Sequence, residues 1–193
     1  MILPTAYLAP ISWYRTLLQE PCEVELWESF EKQSLRNRCR IAGPNGVQTL
    51  TVPVVKCEHK QLTRDVRIAY QEKWQHRHWQ ALVSAYRHSP FFDYYEDYFR
   101  PLYDKKFVFL VDLNEAMHEV ILQLTGIERH LQYTDCFRGV TYRQEDCPPN
   151  RSYYQIFADT QGFQSDLSVA DLLFNMGNES EIYLSVRANK LLS

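Results

Sequence analysis

The chain is predicted to form a single α/β domain, a mixed β-sheet with packed helices, and three features carry that expectation. Residues 36–54 alternate polar and apolar side chains on either side of Gly43-Pro44-Asn45-Gly46, the pattern of a β-hairpin. Residues 71–88 and 112–125 place apolar side chains three and four apart, as amphipathic helices do. An apolar run at 107–111 precedes the second of these helices, and a candidate strand at 130–133 follows it, which suggests a βαβ unit.

In chain order, Ile2 to Leu8 reads as a short strand running into a loop that ends at Pro10. Ile11 to Gln19 reads as a helix with Ser12 as its N-cap, and Pro21 stops it. Cys22 to Trp27 alternates as a half-buried strand does. In the hairpin, Arg36, Arg38 and Arg40 share one face, while Asn37, Cys39 and Ile41 share the other. The returning strand, Val47 to Val54, is rich in β-branched residues. Lys56 to Arg64 is a polar loop and Asp65 to Tyr70 a further strand.

The helix over 71–88 carries Trp74, His78, Leu82 and Tyr86 on its apolar stripe, and Ser89-Pro90 breaks it. Phe91 to Tyr103 follows as an aromatic helix with Phe91, Tyr95, Tyr98, Phe99 and Leu102 facing in. Asp112 and Glu115 have capping-box spacing, Leu113, Met117, Val120, Ile121 and Leu124 form a stripe, and Gly126 closes the helix. Glu128 to Arg151 is otherwise irregular, and Tyr153 to Phe157 is a last candidate strand. Ser168 and Asp171 form a second capping box, Gly177 ends that helix, and Glu179 to Arg187 continues as a short one before a frayed end.

The totals exclude several classes. Over 193 residues the apolar content is 45% and the aromatic content 14%, enough for a substantial core. A formal charge of −3 argues against general nucleic-acid binding. No apolar run is long enough to span a membrane, and the first residues lack the basic and apolar regions of a signal peptide. Cys22, Cys39, Cys57, Cys136 and Cys147 are odd in number and contain no Cys-x-x-Cys pair, which fits reduced thiols in a cytoplasm. No Gly-rich phosphate loop, His-Glu-x-x-His or Gly-x-Ser-x-Gly pattern occurs.

Candidate sites are few. The three hairpin arginines are an anion site or, equally, the solvated face of an outer hairpin. Between Lys56 and His88 seven Lys or Arg stand against three Asp or Glu, with four His, so a local positive surface is expected in an acidic protein. Lys32 lies just before the arginines. His78, on an apolar helix face, reads as a general base or as a core histidine bonded to a carbonyl. His76 points roughly 200° round the helix from His78, so a metal site built from Cys57, His59, His76 and His78 is disfavoured. Tyr86, Phe91 and Phe92 stack on a ligand or fill the core; Asn175 and Gln155 bond a ligand or satisfy backbone groups; Asp171 reads as a capping carboxylate. Asn37 points away from the arginine face and is structural unless a bulge re-aims it.

Several stretches together resemble the WbqC-like protein family. They are Tyr7-Leu8-Ala9-Pro10 with Trp13-Tyr14, then Asn37-Arg38 with Ile41, Gly46 and Leu50-Thr51-Val52-Pro53-Val54. Asp65-Val66-x-Ile68, then Trp74, His78 and Trp79, then Ala85-Tyr86 with Ser89-Pro90-Phe91-Phe92 follow, and Leu113-Asn114 opens the next helix. Tyr154-Gln155-x-Phe157, Gly162-Phe163, Leu167-Ser168, Asp171 to Asn175 and Gly177 complete the match. The Gln that often precedes the first motif is absent here, where Leu3 or Thr5 stands.

The resemblance implies bacterial surface-polysaccharide assembly of the O-antigen type. The leading expectation in that setting is an acyl or aminoacyl transferase acting on a nucleotide-linked or otherwise phosphorylated sugar. His78 would then be the base and Arg38, of the Asn-Arg pair, the phosphate clamp with Lys32 or Arg40; it names no cofactor. The alternatives are a module that binds an anionic metabolite without reacting, and an interaction protein displaying aromatics from Phe91 to Tyr103. A cleft holding both His78 and Arg38 would favour the enzyme; a sealed His78 would count against it.

Overall fold

The computed structural model describes residues 1–186, and these form a mixed α/β single domain. Its strand pairing is both parallel and antiparallel, divided between two two-stranded sheets. In the first, β1 (Ile2–Pro4) runs parallel to β2 (Glu23–Glu25), with Leu3 opposite Val24. The crossover is α1 (Ile11–Gln19). The segment after residue 130 joins the other side of β2, where Val24 N–H donates to the Gln132 carbonyl (2.7 Å) and Thr134 N–H to the Val24 carbonyl (3.0 Å).

The second sheet is the expected hairpin, β3 (Arg38–Ile41) against β4 (Gln48–Thr51), with Arg38 opposite Thr51 and Ile41 opposite Gln48. Cys39, Ile41 and Leu50 turn into the core while Arg40 stays exposed, as the period of two requires. Gly46 takes the positive φ (115°) that the turn needs.

The helices are α2 (Trp74–Tyr86), α3 (Phe92–Asp104), α4 (Leu110–Thr125), α5 (Ala158–Gln161), α6 (Val169–Met176) and α7 (Glu179–Ser185). Every residue of α6 from Val169 to Asn175 is buried, and it touches α1, α2, α3, α4 and α7. A helix buried all round belongs at a core's centre. Phe174 marks that centre, its ring 5.1 Å from those of Tyr86 and Phe92 and 5.3 Å from Phe99. Gly126 closes α4 at φ 71°, and Ile127 N–H returns to the Leu122 carbonyl at 3.0 Å, a Schellman ending.

Several boundaries differ from expectation. The run Phe107 to Val111 is not a strand: only Phe109 bridges, to Arg67, and Leu110 already opens α4 with its side chain buried beside Leu113. Asp112 therefore sits in the first turn, not at the cap. Asp65 to Tyr70 makes single bridges (Val54 with Ile68, Arg67 with Phe109) but no ladder. Tyr153 to Phe157 is not a strand: Tyr153 and Gln155 turn inward to Asp171, but the segment forms no backbone bridge among the described residues. Pro10, not Ser12, caps α1, and Ser12 points to Asp166 instead. Tyr98 faces outward, 45% exposed, one position off the buried Phe99 stripe. The expected fraying of the last six residues lies outside the described residues.

Candidate functional site

The hairpin's arginine face forms one wall of a cavity of about 680 Å³, within the range of small-molecule sites. Segment 137–145 faces it, Pro4, Leu8 and Pro10 line one side, and Asp166 and Ser168 line another. The two sides are tied together: Ile11 N–H donates to the Leu167 carbonyl (3.1 Å), Val169 N–H to that of Ala9 (2.9 Å) and Ser168 N–H to that of Arg40 (2.8 Å).

The arginines do not behave alike. Arg36 lies before β3 and is buried; its Nε donates to Glu28 Oε1 at 2.7 Å, and its Nη1 donates to Glu31 (3.1 Å) and Ser34 (3.0 Å). Arg38 is half-buried in the wall, and its Nε is dry and without a partner among the described residues. Arg40 and Arg143 also line the cavity, and neither they nor Arg38 form an ion pair among the described residues.

Four arginines and four carboxylates (Glu28, Glu31, Glu145 and Asp166) line the cavity, but most of the acids are engaged. Glu28 and Glu31 serve Arg36. Asp166 accepts from Ser12 N–H (2.8 Å), Ser12 Oγ (2.8 Å), Gln144 Nε2 (2.6 Å) and Asn150 Nδ2 (3.0 Å). The lining is thus formally neutral, and Arg38, Arg40 and Arg143 are its cations without an ion pair among the described residues. The wall is also conformationally costly. Leu8 (φ 42°), Gln33 (φ 62°) and Asp166 (φ 54°) are three of the four non-glycine residues with positive φ among the described residues, and all three line the cavity. Such geometry persists where surrounding contacts impose it, and it clusters at functional sites.

Segment 134–139 hangs from Glu25, which is fully buried. Its Oε1 accepts from Trp27 N–H (2.7 Å) and Thr134 Oγ1 (3.0 Å), and its Oε2 from Arg138 N–H (2.7 Å) and Gly139 N–H (3.0 Å). Burial alone would raise this carboxyl's pKa, but the four donated bonds win and lower it.

His78 is elsewhere. It is 6% exposed and does not line the cavity. Its Nδ1 lies 3.0 Å from the Tyr7 hydroxyl, which lies 2.7 Å from that of Tyr103, and Trp74 packs edge-on at 5.1 Å. Burial drives the ring's pKa down to about 4, although the Thr51 backbone holds it up in part. The ring is enclosed and bonded within the core; the Thr51 backbone that it meets stands opposite Arg38 in the hairpin, but the ring does not line the cavity that Arg38 lines.

Lys32 is exposed and does not line the cavity, whereas the remaining expected ligands are internal. Asn37 is buried and donates to the Val52 carbonyl at 3.0 Å, tying the hairpin. Tyr86 donates to Asp171 Oδ1 (2.8 Å) and accepts from Ala42 N–H (3.1 Å). Asn175 donates to the Asp171 carbonyl at 2.8 Å. Asp171 is not a cap: its carboxylate also accepts from Tyr153 (2.5 Å) and Gln155 (2.9 Å), and burial raises its pKa. No three His, Cys, Asp or Glu side chains converge on a metal position among the described residues, and no described helix is long and apolar enough to cross a membrane.

Phe137, Tyr142, Arg143 and Asp166 line the cavity without having been singled out from sequence. Three of them lie in the irregular stretch 128–151, which has no periodicity to interpret. An aromatic beside a glycine in the polar run Asp135-Cys136-Phe137-Arg138-Gly139 was the available signal.

The WbqC-like protein family matches residues 27–147, which include the hairpin, α2 to α4 and the facing segment. The chain is also 28% identical to the Uncharacterized protein Rv1507c of Mycobacterium tuberculosis, over 80% of this chain and 83% of that protein. No solved structure matches.

Proposed function

We propose that this chain, which belongs to the WbqC-like protein family, binds a phosphorylated or nucleotide-linked sugar in the arginine-walled cavity. The observation that carries the proposal is Arg38, a half-buried guanidinium set in the cavity wall that forms no ion pair among the described residues. A half-buried cation without a counter-charge is unfavourable, and a phosphate oxygen supplies what it lacks. Arg40 and Arg143 extend the same clamp, and Pro4, Leu8 and Pro10 offer an apolar side for a sugar ring. Surface-polysaccharide assembly in the cytoplasm is the setting we attach to this ligand.

Acyl or aminoacyl transfer onto the bound sugar is the activity we attach to this setting. His78 does not serve as its base in this reading, since the ring is sealed in the core. That sealing favours a second reading, a module that binds the ligand without reacting.

A thermal-shift series with sugar phosphates and nucleotide sugars tests the binding. A ligand at 100 times its dissociation constant adds about 2.7 kcal/mol of stability, and the shift should vanish in Arg38→Ala. No shift with any phosphorylated sugar would remove the proposal. A bound ligand that stays chemically unchanged with acyl and aminoacyl donors would favour the binding module.

A further inference from the structure

We infer that the ligand of this cavity carries a nucleobase, and that Phe137 is the surface on which the base stacks. The inference rests on the phosphate-binding reading of the same cavity and deepens it. Phe137 is 66% exposed and lines the same cavity as the hairpin arginines. An exposed phenylalanine by itself is ordinary. The mounting of this one is not.

The two residues that follow it, Arg138 and Gly139, donate their N–H groups to the buried carboxylate of Glu25 at 2.7 and 3.0 Å. The Arg138 guanidinium is tied in turn to Glu23 (2.8 Å) and Asp135 (3.2 Å). Gly139, at φ 77°, turns the chain, and the tip of the Phe137 ring passes 3.8 Å from where a Cβ there would stand. The fold thus buries a carboxylate to hold a loop whose projecting member is an exposed aromatic ring. A flexible loop would leave such a ring free to collapse onto the protein.

The same cavity presents the free guanidiniums of Arg38, Arg40 and Arg143. Guanidinium forks suit a diphosphate, and a fixed aromatic face beside them suits a planar base. A sugar phosphate alone would leave Phe137 without a partner. Glu25 is the positioning residue: it touches no ligand and acts by holding the ring in place.

Calorimetric titration with uridine diphosphate, adenosine diphosphate and inorganic pyrophosphate tests this on the wild type, Phe137→Ala, Phe137→Trp and Glu25→Gln. The nucleoside diphosphates should bind more tightly than pyrophosphate by on the order of tenfold, the usual worth of one stacked base. Phe137→Ala should erase that margin and leave pyrophosphate affinity within about twofold, and Phe137→Trp should keep it. Glu25→Gln should shrink the margin with pyrophosphate affinity held, a change that general loss of folding would not produce. Equal binding of pyrophosphate and nucleotides, or a margin that survives Phe137→Ala, overturns the inference and leaves the cavity reading standing. Absence of binding by pyrophosphate and nucleotides alike overturns both.

Discussion

Around His78, polar groups find each other: the ring nitrogen meets Tyr7, and Tyr7 meets Tyr103. Around Arg38 they do not, and a buried Nε is left without a partner among the described residues. The same division separates two arginines of one segment, since Arg36 holds Glu28 and Glu31 while Arg38 holds neither. The difference teaches where to look for a ligand. A satisfied polar network stabilises and specifies a core. A charged group left short of partners beside a cavity is a place that an external anion completes.

The largest test of that comparison sets Arg36→Ala against Arg38→Ala. Arg36→Ala strands the nearly buried Glu28 carboxylate and should cost roughly 3–5 kcal/mol in urea unfolding. Arg38→Ala removes an unpaired charge and should change stability by under about 0.5 kcal/mol while abolishing ligand binding. Equal destabilisation by the two variants would break the comparison. Next, Asp171→Ala leaves Tyr86, Tyr153 and Gln155 without their acceptor. At about 1–3 kcal/mol per orphaned buried group it should cost roughly 3 kcal/mol or more. Ligand affinity of the folded fraction should not change, because this network does not line the cavity.

The buried histidines sharpen the comparison through pH. Burial lowers His78 to about 4 and His118 to about 3. Unfolding returns both to near 6.5, so the unfolded chain binds more protons between these values. Stability should therefore fall as pH drops below about 6.5, by up to about 1.4 kcal/mol per unit for each ring. Removing one ring, in His118→Gln, should flatten the slope of the denaturant midpoint against pH between about 4 and 6; an unchanged slope would show that the ring titrates freely. The smallest effect belongs to pairs that are satisfied but wet. Arg100 and Asp104 stand 3.6 Å apart at the surface, and Asp104→Ala should cost no more than about 0.5 kcal/mol.

Much of the fold was legible because periodicity reports burial. The stripes of α2 and α4 and the alternation of the hairpin turn inward as read. Phe107 to Val111 misled because five apolar residues suit a strand or the first turn of a helix equally, and here Leu110 already enters the core from the first turn of α4. Asp171 misled because capping-box spacing is local, whereas Tyr86 and Tyr153 reach its carboxylate from distant positions. Half of the site was legible for the same reason. Arg38 and Arg40 stand on a regular strand, but Arg143, Phe137 and Asp166 sit in irregular backbone, where long-range hydrogen bonds and not sequence pattern set direction. His78 was read as either a general base or a core histidine and stands buried outside the cavity lining, because a helix stripe predicts which residues are enclosed, not which enclosed residues a ligand can reach.

The ties between residues 9–11 and 167–169 carry a consequence for assembly during synthesis. All the cavity arginines lie before residue 150, yet the side formed by Asp166 and Ser168 is contributed much later. A nascent chain that has released only its first 150 residues holds every cavity arginine but lacks the side that Asp166 and Ser168 close. Completion of the cavity is thus a late event, coupled to the docking of the start of α6 against the loop that was made first.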